Sequence, residues 1–138
     1  MKKLFIDTNI VIDLLAKREP FYDEAAMLFT LADKQKIRLS VSALTLANTN
    51  YILLQSKKSE EAKLILRKLK LIVQVLSLDE KIVGLSLNDN DFKDYEDALQ
   101  YFTALENGVD AIITRNLKDF QKAKLPVMTA SQFLRSIK

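Results

Sequence analysis

Short apolar runs rich in branched and aromatic residues recur along the chain, separated by longer stretches whose apolar positions repeat every three or four residues. The first rhythm predicts buried β strands, the second helices that bury one face. KLFI over residues 3–6 reads as a strand, and VIDLLAK after it as a helix that ends near Arg18-Glu19-Pro20. Pro20 suits the first turn of the next helix, FYDEAAMLFTLADKQK. IRLSVS (37–42) is a second strand, and Ser42 can cap the helix of ALTLANTNYILLQ. Ser56 or Ser59 then begins a basic amphipathic helix, SEEAKLILRKLK. LIVQVLS (71–77) is a third strand, followed by a helix from about Asp79 to Leu87. The acidic stretch NDNDFKDYED leads into a helix to about Asn107, where Gly108 is a natural stop. VDAIIT (109–114) and LPVM (125–128) are the fourth and fifth strands, and ASQFLRSIK is a last helix.

Strands alternating with helices predict an α/β domain with a mainly parallel sheet of about five strands, covered on both faces. In such sheets functional groups gather outside the carboxyl ends of the strands. Three of those ends carry polar groups: Asp7-Thr8-Asn9, Ser42, and Thr114-Arg115-Asn116. A length of 138 residues is expected to form one domain, 1–138, with roughly two-thirds of its unfolded surface buried.

Composition narrows the chemistry. Hydrophobic residues at 49% and charged residues at 28% suit a globular, water-soluble protein. No apolar run approaches the ~20 residues that span a bilayer, and the stretch before Asp7 is too short for a signal peptide, so no membrane partner is expected. The absence of cysteine excludes disulfides and thiolate metal sites and fits a cytoplasmic location. The absence of histidine matters more, because it removes imidazole bases, imidazole ligands and the Ser-His-Asp triad. Any catalysis must run on carboxylates, lysines, hydroxyls or a bound metal ion. The net charge of +3 only mildly favours an anionic partner.

Asp7, directly after a buried strand, has two readings. It can cap the following helix. It can also hold a hard divalent cation such as Mg²⁺ or Mn²⁺, which takes oxygen ligands and offsets the cost of burying the charge. The acids Asp89, Asp91, Asp94, Glu96 and Asp97 carry the same ambiguity, since Asp94 and Asp97 also suit an acidic first helical turn. Asp7 and Asp97 are the pair best placed to share an ion.

FIDTNIVIDLLAKREPFYDEA and DYEDALQYFTALENGVDAIITRNLKDF together resemble the two ends of the PIN-domain family, in particular its VapC-like ribonuclease toxins. The resemblance covers nearly the whole chain. It implies a three-layer α/β/α sandwich, Mg²⁺- or Mn²⁺-dependent endonucleolytic cleavage of RNA through a metal-activated water, a homodimer, and an antitoxin partner that covers the early helices. Carried over by position, it places the metal and the catalysis on Asp7, Asp97 and Asn116, with Asn9 and Thr114 in support. A glutamate usual in the family after the second strand is replaced here by Asn48, and Asn116 is neutral as well. Fewer charges imply weaker ion binding, a preference for Mn²⁺ and low activity. Asp94, one turn before Asp97, and Asp119 are the residues that could restore charge.

Arg18 and Arg115 are the candidate phosphate contacts, although Arg115 could instead pair with an acidic neighbour. Lys63, Arg67 and Lys70 share a helix face that could follow an RNA backbone or simply be solvated. The alternative to a nuclease is a degenerate PIN module that binds RNA or an antitoxin without cutting. An aspartyl-phosphate phosphatase is disfavoured, because Asn9 stands where a second acid is expected.

Overall fold

Leu4, Phe5 and Ile6 alternate across the first strand, β1 (Lys2–Ile6), and all three are fully buried. A strand can bury both faces only inside a covered sheet. The computed structural model, which describes residues 1–137, supplies that setting. β2 (Ile37–Ser42), β3 (Val73–Leu76), β4 (Ala111–Ile113) and β5 (Val127–Met128) join β1 in one sheet, ordered β3-β2-β1-β4-β5. Every neighbouring pair is parallel.

Helices α1 (Thr8–Leu15), α2 (Tyr22–Asp33), α3 (Ala43–Leu53) and α4 (Ser59–Lys70) precede β3 or connect the first three strands. α5 (Glu80–Asn88) and α6 (Tyr95–Glu106) lie between β3 and β4, and α7 (Ala130–Ser136) follows β5. On one face Leu4, Ile6, Leu39, Val41 and Ile113 pack with Ile10, Leu28, Phe29 and Phe133 from the helices. On the other, Phe5 and Ile112 meet Phe92, Ala98, Tyr101, Ala104 and Phe120. The Phe92 and Tyr101 rings stack at 4.6 Å between centroids. The result is the α/β architecture expected, a five-stranded parallel sheet flanked by helices.

Element ends differ from the sequence reading in places. Pro20 is not in the first turn of α2; Phe21 N–H bonds the Arg18 carbonyl and closes a turn around Glu19-Pro20, so the helix begins at Tyr22. Ser59 is the first residue of α4, and Lys58 occupies the cap position without a side-chain bond. The third strand starts at Val73, leaving Leu71 exposed in the preceding turn. Ser42, Asp79 and Asp94 do cap their helices. Gly108 has a φ of +63°, a conformation that side chains resist, and so terminates α6 cleanly.

Candidate active site at the carboxyl ends of β1 and β4

The strand order reverses beside β1. From β1 the chain moves outward to β2 and β3, then crosses back to build β4 and β5 on the other side. Helices therefore diverge at the β1/β4 junction and leave a crevice beyond the strand ends, where parallel sheets place their sites. Asp7 sits at its floor, with its N–H still in the ladder, donating to the Ile113 carbonyl at 2.9 Å.

Only 8% of Asp7 is exposed, so its carboxylate needs partners to replace the water it gives up. Four donors converge on it. Oδ1 accepts from Thr8 N at 2.8 Å and from Gln100 Nε2 at 3.3 Å. Oδ2 accepts from Thr114 Oγ1 at 2.8 Å and from Asn9 Nδ2 at 3.4 Å. Each oxygen thus has one strong bond and one long bond, so neither is closed to a further ligand. Thr114 also accepts from Asn116 N at 3.1 Å, which ties the loop after β4 to the same carboxylate. Asp7 is both helix cap and site floor.

A cavity of about 260 Å³ opens above it, lined by Asp7, Thr8, Asn9, Arg18, Asn48, Glu96, Asp97, Gln100 and Asn116 among others. Residues from four separate segments predicted at this rim, Asp7 with Asn9, Asn48, Asp97 and Asn116, do meet in one cavity. Arg18 lines it too.

Asp97 lies in the first turn of α6, half-buried. Burial pushes its carboxyl from the ordinary 3.8 to about 7, and the charges of Asp94, Asp119, Asp7 and Glu96 push the same way. A carboxyl that is both desolvated and faced by like charge is a candidate functional site.

Three of the sequence candidates are placed elsewhere. Asp94 Oδ1 accepts from Asp97 N at 3.0 Å as the α6 cap, and Asp94 with Asp119 lines a neighbouring depression rather than the Asp7 cavity. They act on Asp97 through charge. Arg115, expected at the phosphate, is instead engaged: Nε and Nη2 donate to Asp13 Oδ2 and Oδ1 at 2.8 and 3.1 Å. Asp13 is 1% exposed, and the guanidinium also stacks on Phe21 with 4.0 Å to the ring centroid. The basic residues of α4 are exposed and none lines the cavity.

Gln100 was not anticipated. It is 3% exposed and touches Asp7, Thr8, Ser42 and Thr45. Its position three residues after Asp97 on α6 was the available signal.

The donor set is entirely oxygen: two buried or half-buried carboxylates, the amide carbonyls of Asn48 and Asn116, and Asn9 Oδ1, which is buried without a protein partner. That chemistry fits a hard divalent cation with several waters retained. Among the described residues no three Asp or Glu side chains converge as an ion cage, so amides and water must complete any shell.

The described residues contain no helix long and apolar enough to cross a membrane. A family model described as "PIN domain" matches residues 3–118. The chain is 27% identical over 139 residues to "Ribonuclease VapC1" of Aquifex aeolicus (strain VF5), spanning 96% of this chain and 93% of that protein. Among solved structures, the "Toxin-antitoxin complex from Klebsiella pneumoniae" superposes with a TM-score of 0.69 at 24% identity, covering 92% of this chain and 97% of that one. "VapBC-1 from nontypeable Haemophilus influenzae" gives 0.67 at 23% identity, covering 94% and 98%. Those two likenesses establish the shared fold.

Proposed function

The chain belongs to the PIN-domain family, and from that premise we propose that it is a metal-dependent endoribonuclease of the VapC-like toxin kind, the 138 residues forming one such domain. The observation that carries the reading is the meeting of Asp7 and Asp97 in one cavity with oxygen donors, where burial first and neighbouring like charge second raise the Asp97 carboxyl to about 7. A divalent cation, Mg²⁺ or Mn²⁺, would be held by Asp7 and Asp97, with Asn48 and Asn116 joining directly or through water. When bound, it supplies a more acidic water and neutralises charge on a phosphodiester.

The chain's own groups do the rest. Thr114 and the Thr8 N–H fix the orientation of Asp7, so the carboxylate does not rotate away from the cavity. Arg18, exposed on the cavity wall, is the group placed to meet the RNA backbone. Asn116 offers a neutral donor and acceptor there, held in place through Thr114. With Asn48 and Asn116 uncharged, the ion would be held weakly and activity would be modest.

An antitoxin partner is supported by solved structures of the same fold that are toxin–antitoxin complexes; a second copy of the chain is proposed from the family resemblance alone. A cytoplasmic location goes with both. The non-cleaving alternative rests on the two neutral asparagines alone, whereas Asp7 keeps its full set of supporting donors. Single-stranded and structured RNA incubated with Mn²⁺ or Mg²⁺ tests the proposal. Cleavage that chelation stops and Asp97→Asn lacks supports it; cleavage that survives chelation, or no cleavage by any variant, refutes it.

A further inference from the structure

We propose that Gln100 is a positioning residue for the metal site, its amide setting the direction of Asp7 and the spacing between β1 and α6; this deepens the nuclease reading and rests on it. A glutamine side chain buried to 3% exposure is costly unless both ends of its amide are bonded. Here both are, and the bonding pattern fixes which end faces Asp7.

The chain of donors starts at Ser42, the cap of α3. Ser42 Oγ accepts from Thr45 N at 3.2 Å, so its own proton is free to be donated, and Gln100 Oε1 accepts it. The Nε2 end must then point the other way. It lies 3.3 Å from Asp7 Oδ1, 3.3 Å from Thr8 Oγ1 and 3.1 Å from Thr45 Oγ1. Reversing the amide would set its oxygen against the Asp7 carboxylate and leave Ser42 only the longer contact to Thr45 Oγ1, at 3.4 Å, to donate into. The orientation therefore follows from chemistry and not from packing alone.

One side chain on α6 thus gathers the end of β1, the start of α1, the end of β2 and the first turn of α3. Asp97 precedes it by three residues on the same helix, so both project from one face. Fixing Gln100 against Asp7 fixes how far the Asp97 carboxylate stands from the Asp7 carboxylate across the cavity. Thr8 and Thr45 are themselves joined at 2.8 Å between hydroxyls, which makes the hub a closed network instead of a single contact.

The test is Mn²⁺ titration followed by electron paramagnetic resonance, with melting temperature recorded on the same samples. Gln100→Met keeps the length and apolar packing but removes both amide partners. Ser42→Ala removes the donor that orients the amide together with the α3 cap, and, provided its melting temperature shows it folded, covers the case in which Gln100→Met does not fold. Loss of an outer partner of a ligand typically weakens metal affinity about 10–100-fold, and that range is expected for Gln100→Met, with a smaller loss of about threefold for Ser42→Ala. In RNA cleavage, kcat at a fixed, subsaturating Mn²⁺ concentration is expected to fall and to recover at saturating Mn²⁺, a recovery that a permanently smaller folded fraction, checked by the melting temperature on the same samples, would not show. Folded Gln100→Met with wild-type Mn²⁺ affinity overturns the inference, as does unaltered affinity in Ser42→Ala should Gln100→Met unfold. A wild-type protein that binds no Mn²⁺ overturns the nuclease reading itself, and this inference with it.

Discussion

Replacing Asp97 with asparagine is expected to stabilise the metal-free protein at alkaline pH while removing its hold on a divalent ion. The Asp97 carboxyl titrates at about 7 in the folded protein, above its ordinary 3.8, because it is desolvated and faces Asp94, Asp119, Asp7 and Glu96. Between about pH 4 and pH 7 the folded state keeps a proton that the unfolded chain has released, so stability falls as pH rises through that window and stays low above it. For a fully buried group a displacement of this size corresponds to about 4 kcal/mol. Asp97 is only half-buried, and solvent screening brings the expected effect to about 1–2 kcal/mol. In a chain of this length that is about 3–6 °C in melting temperature. Thermal unfolding in chelator from pH 5 to pH 8 measures it. Wild type is expected to lose stability relative to Asp97→Asn as pH rises, and the variant to melt higher at pH 8. Added Mn²⁺ should reverse the order, raising wild type and leaving the variant unmoved. A variant that melts lower than wild type at pH 8 without metal would refute the argument that burial and like charge strain this carboxyl.

Asp94→Asn keeps an acceptor for the Asp97 N–H but removes one of the charges acting on Asp97, so the fall in stability is expected to begin at the same pH but end at a lower one, with melting temperature little changed at pH 5; an unshifted profile would remove Asp94 from the electrostatics. Arg115→Ala leaves the Asp13 carboxylate buried and unpaired, and a loss of about 3–5 kcal/mol is expected in urea denaturation. A loss below about 1 kcal/mol would return Arg115 to the list of candidate phosphate contacts. The pair Asp13→Asn with Arg115→Met is expected to recover much of that loss, because no buried charge is then left alone.

The alternation of apolar runs with helical periodicity was enough to give the sheet, since a parallel sheet buries both faces and writes that burial into Leu4-Phe5-Ile6 and Ala111-Ile112-Ile113. The α3 cap was legible because Ser42 stands just ahead of an apolar-periodic stretch. Pro20 misled because proline suits both a first helical turn and the turn before it, and only the Phe21–Arg18 bond decides. The ambiguity at Asp94 was real in sequence, as one residue type serves as cap and as ligand. Arg115 was open to both readings, phosphate contact or ion pair, and the partner could not be named because Asp13 is 102 residues away in the chain. Gln100 was hidden for a different reason: an uncharged residue among Ala98, Leu99 and Tyr101 reads as part of an apolar face until four elements are seen closing on it.

Calorimetric titration of Mn²⁺ into the wild-type protein and Asp7→Asn, at pH 8, tests most directly the claim that Asp7 is placed to hold an ion. Saturable Mn²⁺ binding in wild type that is lost in a folded Asp7→Asn is the predicted result. Absence of binding in wild type, or equal binding in both, would contradict it and reduce Asp7 to the cap of α1.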